Sequence, residues 1–210
     1  MKKGILIDFE GGEKVGKTSQ LSRARIYLEK KGCKVVTSHE PGGGDPQIRQ
    51  KLLDMKENMS PEEELDLFCE DRRLHVQNVI RPALNEGNIV LLDRFEPSTI
   101  AYQGYGRGLS LALIRERSAE ARNGTWPDLI ILFNADPTKV LTRAKATTRF
   151  DQENIVFHLC VWNGFLTQAA EDKKRWCVIN ATPSEEEVWQ TVKQCLDKFI
   201  SAHASSLSNP

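Results

Sequence analysis

A short turn rich in glycine, set between an apolar run and a helical pattern, constrains this chain more than any other feature. Residues 4–9 (Gly-Ile-Leu-Ile-Asp-Phe) read as a buried β-strand. Directly after them comes Gly11-Gly12-Glu13-Lys14-Val15-Gly16-Lys17-Thr18, which fits the pattern G-x-x-x-x-G-K-[ST]. Residues 18–31 then carry a helical pattern that ends near Gly32. A glycine-rich turn capping a helix is the plain reading of such a stretch. The full pattern, in strand–turn–helix context, points further.

Glycines let a backbone wrap closely and expose its N–H groups. With the N-terminus of the following helix, those groups form a concave, positive site suited to phosphates. A lysine at position 17 can reach the β and γ phosphates of a nucleotide, and the Thr18 hydroxyl can ligate Mg²⁺. Gly11 through Thr18 are therefore read as the site of a nucleoside triphosphate with magnesium, ATP in the reading developed below. The loop alone does not separate kinases from GTPases or ATPases. Residues 88–93 form a further apolar strand that ends in Asp93, a fitting second magnesium ligand, although Asp is also common in turns. The guanine-reading pattern Asn-Lys-x-Asp is missing.

The rest of the chain supplies more strands of the same kind. Residues 33–38, 128–134 and 175–180 are short and apolar, and helical patterns cover 61–84, 97–104, 109–122, 137–145, 152–172 and 183–200. Ser60 and an acidic first turn open the 61–84 stretch, and Pro82 is expected to bend or interrupt its end. This alternation predicts an α/β fold, a parallel sheet covered on both faces. With 210 residues, one domain over 1–200 is expected, followed by a flexible polar tail at 201–210.

Lys plus Arg equals Asp plus Glu, 29 each. That balance argues against a general nucleic-acid or membrane binder, although a local basic site remains compatible with it. No apolar run approaches the ~20 residues of a membrane span, and the N-terminal run is short and holds Asp8, unlike a signal peptide. Five scattered cysteines without a Cys-x-x-Cys pair read as free thiols, so a cytoplasmic setting is expected.

Arg94 follows the magnesium carboxylate, and Arg143, Lys145 and Arg149 cluster in a polar stretch at 143–152. Such a stretch is either a solvated charge run or a mobile basic lid. Here the sequence resembles the thymidylate kinase family of P-loop nucleoside monophosphate kinases, along most of its length. The resemblance is carried by Phe9-Glu10-Gly11-Gly12-Glu13, by His39-Glu40-Pro41-Gly42-Gly43, and by Leu67-Phe68-Cys69-Glu70-Asp71-Arg72 with His75. Ile80-Arg81-Pro82-Ala83-Leu84, Asp93-Arg94-Phe95 with Ser98, and Ala101-Tyr102-Gln103-Gly104 with Gly106-Arg107-Gly108 extend it. Pro127-Asp128-Leu129 and Arg149-Phe150-Asp151 complete it. It implies a three-layer α/β/α P-loop fold with a five-stranded parallel sheet of order 2-3-1-4-5 and a small lid. It also implies a homodimer and the reaction ATP + dTMP → ADP + dTDP.

The resemblance assigns residue roles as well. Phe68 stacks on thymine and Arg72 bonds its O4; they lie four apart and share a helix face. On the residues alone, Phe68 reads equally as core, Arg72 as a surface charge and Tyr102 as a packing residue. Gln103 is a candidate to read the base edge, Tyr102 lies beside the sugar, and Ser98 belongs to the same segment. Glu13 accepts from the sugar 3′-hydroxyl, Arg94 holds the acceptor phosphate, and Arg143 with Ala181 and Thr182 borders adenine. His39 stands where the family tends to carry Arg, with Arg49 nearby as a substitute cation. Lys14 in the loop and Lys145 or Arg149 in the lid compete for the role of main catalytic cation beside Lys17. Two rival functions remain open: a related kinase with another acceptor such as dUMP, and a nucleotide-binding regulator with little turnover.

Overall fold

The computed structural model describes residues 4–54, 58–143 and 145–207, the side chains of Arg143 and of residues 204–207 excepted. Its strands are β1 Ile5–Glu10, β2 Val35–His39, β3 Ile89–Asp93, β4 Leu129–Asn134 and β5 Trp176–Asn180. They pair in parallel as one sheet of order β2-β3-β1-β4-β5, the order that the resemblance implies. The helices are α1 Lys17–Lys30, α2 Pro46–Leu53, α3 Pro61–His75, α4 Arg81–Asn85, α5 Glu96–Thr99, α6 Leu111–Arg122, α7 Pro137–Val140, α8 Ile155–Glu171 and α9 Glu185–Leu207.

Side chains alternate along β1 and so divide the core. Ile5, Ile7 and Phe9 pack with Leu21, Ala24 and Leu28 of α1 and with Val188, Val192 and Leu196 of α9. On the other face Leu6 joins Val90 and Leu92 of β3, with Val76, Ile80 and Ala83 behind them. Phe157, Val161 and Phe165 of α8 pack there against Leu132 and Tyr102. Asp8 and Glu10 share the face of Leu6, and both are fully buried.

Local chemistry explains where the helices start and bend. Ser60 and Glu63 form a reciprocal cap at the start of α3. Val76–Ile80 is a π-helical turn between α3 and α4. It lies just before Pro82, which has no N–H to continue the ladder and crowds the carbonyl four residues back. A second π-helical turn, Ile100–Gly106, follows α5. The sequence reading contains no helix at α2, which is capped by the Asp45 side chain with Pro46 at its first turn. Its helix at 137–145 is shorter, α7 passing into a 3-10 turn at Leu141–Arg143. Where it leaves a flexible tail from residue 201, α9 continues to Leu207, with no Gly or Pro in its whole length to stop it. Among the described residues no helix is long and apolar enough to cross a membrane, and the five cysteines are free.

Asp8 is costly. Neither of its carboxyl oxygens has a hydrogen-bond donor among the described residues. Burial, then the neighbouring charge of Glu10, pushes its carboxyl well above the ordinary carboxylate value. The folded state therefore holds this proton more tightly than the unfolded chain. Stability is present below the unfolded value near ~4 and is lost as pH rises through the folded one. Asp8→Val is expected to stabilise the protein by ~1–3 kcal/mol at neutral pH. The gain, read from chemical denaturation, should be larger at pH 8 than at pH 5; an equal gain at both would show that Asp8 is not an uncompensated acid.

Candidate active site

Strand ends at the carboxyl edge of the sheet build a cavity of about 720 Å³. Its lining runs from the loop Glu13–Thr18 past Asp93, Arg94 and Ser98 to Phe68, Arg72, Tyr102, Gln103 and Phe150. The loop turns into α1 at Gly16, whose φ of 88° lies in the left-handed region. Lys17 is buried and donates to the carbonyls of Gly11 at 3.1 Å and Gly12 at 2.8 Å. Burial, with the charge of Arg94, lowers its ammonium below the usual lysine range.

Thr18 and Asp93 meet, the hydroxyl donating to Oδ2 at 2.7 Å. A hydroxyl beside a carboxylate suits Mg²⁺, a hard cation that prefers oxygen. No group of three or more His, Cys, Asp or Glu among the described residues is placed to hold a metal.

Arg94, at a φ of 77°, aims its guanidinium back at the loop. It donates to Gly11 O at 2.9 Å, Ser98 Oγ at 3.0 Å, Glu13 Oε1 at 2.9 Å and the Tyr102 hydroxyl at 3.1 Å. Tyr102 itself donates to Glu13 Oε1 at 2.7 Å. Burial alone would raise the Glu13 carboxyl, but Arg94, Lys17 and the Tyr102 hydroxyl outweigh it and hold it below the ordinary value. Both bonds land on Oε1, which leaves acceptor capacity on Oε2. Glu10 fixes the turn beneath, accepting from Phe95 N, Ser98 N and Ser98 Oγ.

Arg72 is 1% exposed and still lines the cavity. Glu40 accepts from its Nε and Nη2 at 3.0 and 2.8 Å, and Thr99 accepts from Nη2 at 2.9 Å. Glu40 reaches it because Asp71 of α3 accepts from the backbone of Gly42, Gly44 and Asp45. Only glycine fits at position 44, where a Cβ would sit 2.0 Å from the Asp71 carbonyl oxygen. Tyr102 and Gln103 are sequence neighbours, and both line the cavity from the π-helical turn, a kind of irregularity common at functional sites. Gln103 is fully buried and donates Nε2 to Glu64 at 2.6 Å, while its Oε1 has no partner among the described residues.

A phosphate loop joined to a pocket of this kind can be compared with known proteins. The family profile described as thymidylate kinase matches residues 9–192. The chain belongs to the thymidylate kinase family. A thymidylate kinase of Nitratidesulfovibrio vulgaris is 40% identical over 213 residues, covering 95% of this chain and 99% of that one. One from Dehalococcoides mccartyi is 42% identical, covering 93% and 97%. A crystal structure of thymidylate kinase from Ehrlichia chaffeensis superposes with a TM-score of 0.78 at 29% identity, covering 93% and 99%.

All eight residues that the sequence reading places at the acceptor share this cavity: Glu13, His39, Phe68, Arg72, Arg94, Ser98, Tyr102 and Gln103. Burial, then the Arg49 charge, lowers His39 below the usual histidine value, which disfavours its cationic form. Ala181 is buried at the end of β5, its N–H bonded to Asn134 O at 2.9 Å, and it lies outside the cavity lining. The Arg143 side chain lies outside the described residues. Arg149 is not among the residues that line the main cavity. It donates to Leu52 O at 2.7 Å and to Glu64, and it lines a separate cavity with Arg107 and Glu153. Buried Glu64 offers it a stronger partner than open solvent. Lys14 instead lines the main cavity, where it donates to Leu141 O at 2.8 Å and stands 3.9 Å from Asp151.

The sequence reading assigns no role to Glu10, Glu64 or Thr99 and uses Phe150 only as part of the lid motif. Phe150 packs edge-on to Tyr102 at 5.7 Å and tilted to Phe68 at 6.2 Å, its ring closing the aromatic end of the cavity. From these placements Lys14→Ala is expected to lower kcat ~10-fold or more, and Arg149→Ala less. A reversed order in steady-state kinetics would mean that the lid carries Arg149 into the main cavity during turnover.

Proposed function

We propose that the chain transfers the γ-phosphoryl group of ATP to dTMP, giving ADP and dTDP. One observation carries the choice of acceptor. Arg72, Gln103 and Phe68 line the same cavity as the phosphate loop, and Gln103 Oε1 has no partner among the described residues. Thymine offers O4 as an acceptor and N3–H as a donor, which Arg72 and Gln103 Oε1 complement, and an aromatic ring suits its face. Cytosine presents the opposite pair. The names of the relatives support the same reading.

The acceptor phosphate needs no strong general base, because its second pKa is near ~6 and it is ionised at neutral pH. The task is to bring two polyanions into line and neutralise them. Lys17 would leave its loop carbonyls for the β and γ phosphates, and Lys14 stands at the same loop. Arg94, held by four acceptors, presents its charge where the acceptor phosphate would enter. Thr18 and Asp93 would hold Mg²⁺, whose charge would offset that of the phosphates. Oε2 of Glu13 is available to the sugar 3′-hydroxyl. A homodimer and a cytoplasmic setting belong to the same proposal, on the strength of the family resemblance.

ADP release measured across dTMP, dUMP, dCMP and dGMP tests this reading, with the highest kcat/KM expected for dTMP. Preference for another monophosphate, or nucleotide binding with no transfer, would refute it. Lys17→Ala is expected to lower kcat at least ~100-fold with the fold intact. Neutral His39 is a weaker anion partner than a guanidinium, so His39→Arg should lower the KM for dTMP. An unchanged or raised KM would place the acceptor phosphate away from residue 39.

A further inference from the structure

We infer that Glu64 is a positioning residue for base selectivity, acting by locking the amide of Gln103. The inference rests on the acceptor reading above. The oxygen and nitrogen of a glutamine amide are nearly the same size, so the bonds around them decide which faces a ligand. Left to itself, Gln103 could turn Oε1 or Nε2 toward a base. The first accepts from an N3–H, as in thymine; the second donates to a bare N3, as in cytosine.

Glu64 removes that freedom. It lies on α3, is 1% exposed, and accepts from Gln103 Nε2 at 2.6 Å. Arg107 approaches both of its oxygens at 3.4 Å, and Arg149 donates to Oε2. Held between two guanidinium groups, Glu64 is a carboxylate that can only accept. It must therefore meet the Nε2 end of Gln103, and Oε1 is the end left over. That atom is buried without a partner among the described residues, on a side chain that lines the cavity. A buried acceptor left unsatisfied costs free energy until a donor arrives, and thymine N3–H is such a donor. Cytosine would set its N3 lone pair against Oε1. The amide could not turn to relieve this without breaking its bond to Glu64.

Glu64→Gln tests the lock, because an amide at position 64 can donate or accept. The readout is the ratio of kcat/KM for dTMP to that for dCMP. The ratio is expected to fall at least ~10-fold in Glu64→Gln. In a Gln103→Ala background, Glu64→Gln should leave it unchanged. A role confined to packing, or to holding Arg107 and Arg149, would lower turnover on both substrates and keep the ratio, overturning the proposal. Should Glu64→Gln fail to fold, the side-chain amide of Gln103 decides the matter by hydrogen exchange in wild-type protein with dTMP. Slow exchange is expected for protons held by a carboxylate, and rapid exchange would overturn the lock. The two readings fail separately. A wild-type enzyme that does not prefer dTMP refutes the acceptor assignment, whereas preference retained in Glu64→Gln refutes only the role of Glu64.

Discussion

The guanidinium of Arg94 ties together what the sequence keeps far apart. Its four acceptors come from the phosphate loop, α5 and the π-helical turn. The Arg94 side chain is 15% exposed, and a charge so largely withdrawn from water is tolerated when its donors are met, which ties the surrounding segments together. The left-handed backbone at Arg94 is part of the same constraint. It lets β3 place Asp93 against Thr18 and, one residue later, turn a cation back over Gly11. On the proposed reading, adjacent residues thereby serve the metal side and the acceptor side.

Glutamates organise the other half of the cavity. Glu10 collects the backbone and hydroxyl of the turn after β3, Glu40 holds Arg72 and His75, and Glu64 holds Gln103, Arg107 and Arg149. Each neutralises or orients donors that would otherwise be expensive to bury. Their distribution gives the cavity a gradient of character. With its charge met by Glu40, Arg72 becomes a source of directed hydrogen bonds, suited to a neutral base. Among the described residues the hydrogen bonds of Lys17 go to carbonyl oxygens of the loop, which leaves its charge suited to phosphates.

The sequence made some of this plain. The loop Gly11–Thr18, Asp93 and the alternation of apolar strands with helices follow from local patterns, and the structure assembles them as one sheet edge. The acceptor residues came from resemblance, because spacing alone could not distinguish Phe68 from core or Arg72 from a surface charge. Helix α2 was hidden because its cap and its Pro46 follow three glycines and read as loop. The π-helical turn at Ile100–Gly106 has no simple periodic signature, and it is what sets Tyr102 and Gln103 on one cavity. The partner of Arg149 is illegible in the sequence for a different reason. That partner is Glu64, 85 residues away in sequence, and no local pattern records that bond.

Two buried polar groups without partners, Asp8 and the Gln103 amide oxygen, show why an unmet bond is not by itself a mark of function. Both impose the same kind of cost. Gln103 lines the cavity, and on the proposed acceptor reading a base that carries a donor would satisfy its oxygen and recover that cost on binding. Asp8 lies outside the lining, and the first neighbouring charge on it is another acid, Glu10. No ligand entering the cavity meets it, so its cost falls on folding stability alone. What separates them is access: strain that a substrate can relieve becomes selectivity, and strain that it cannot reach remains a tax on the fold.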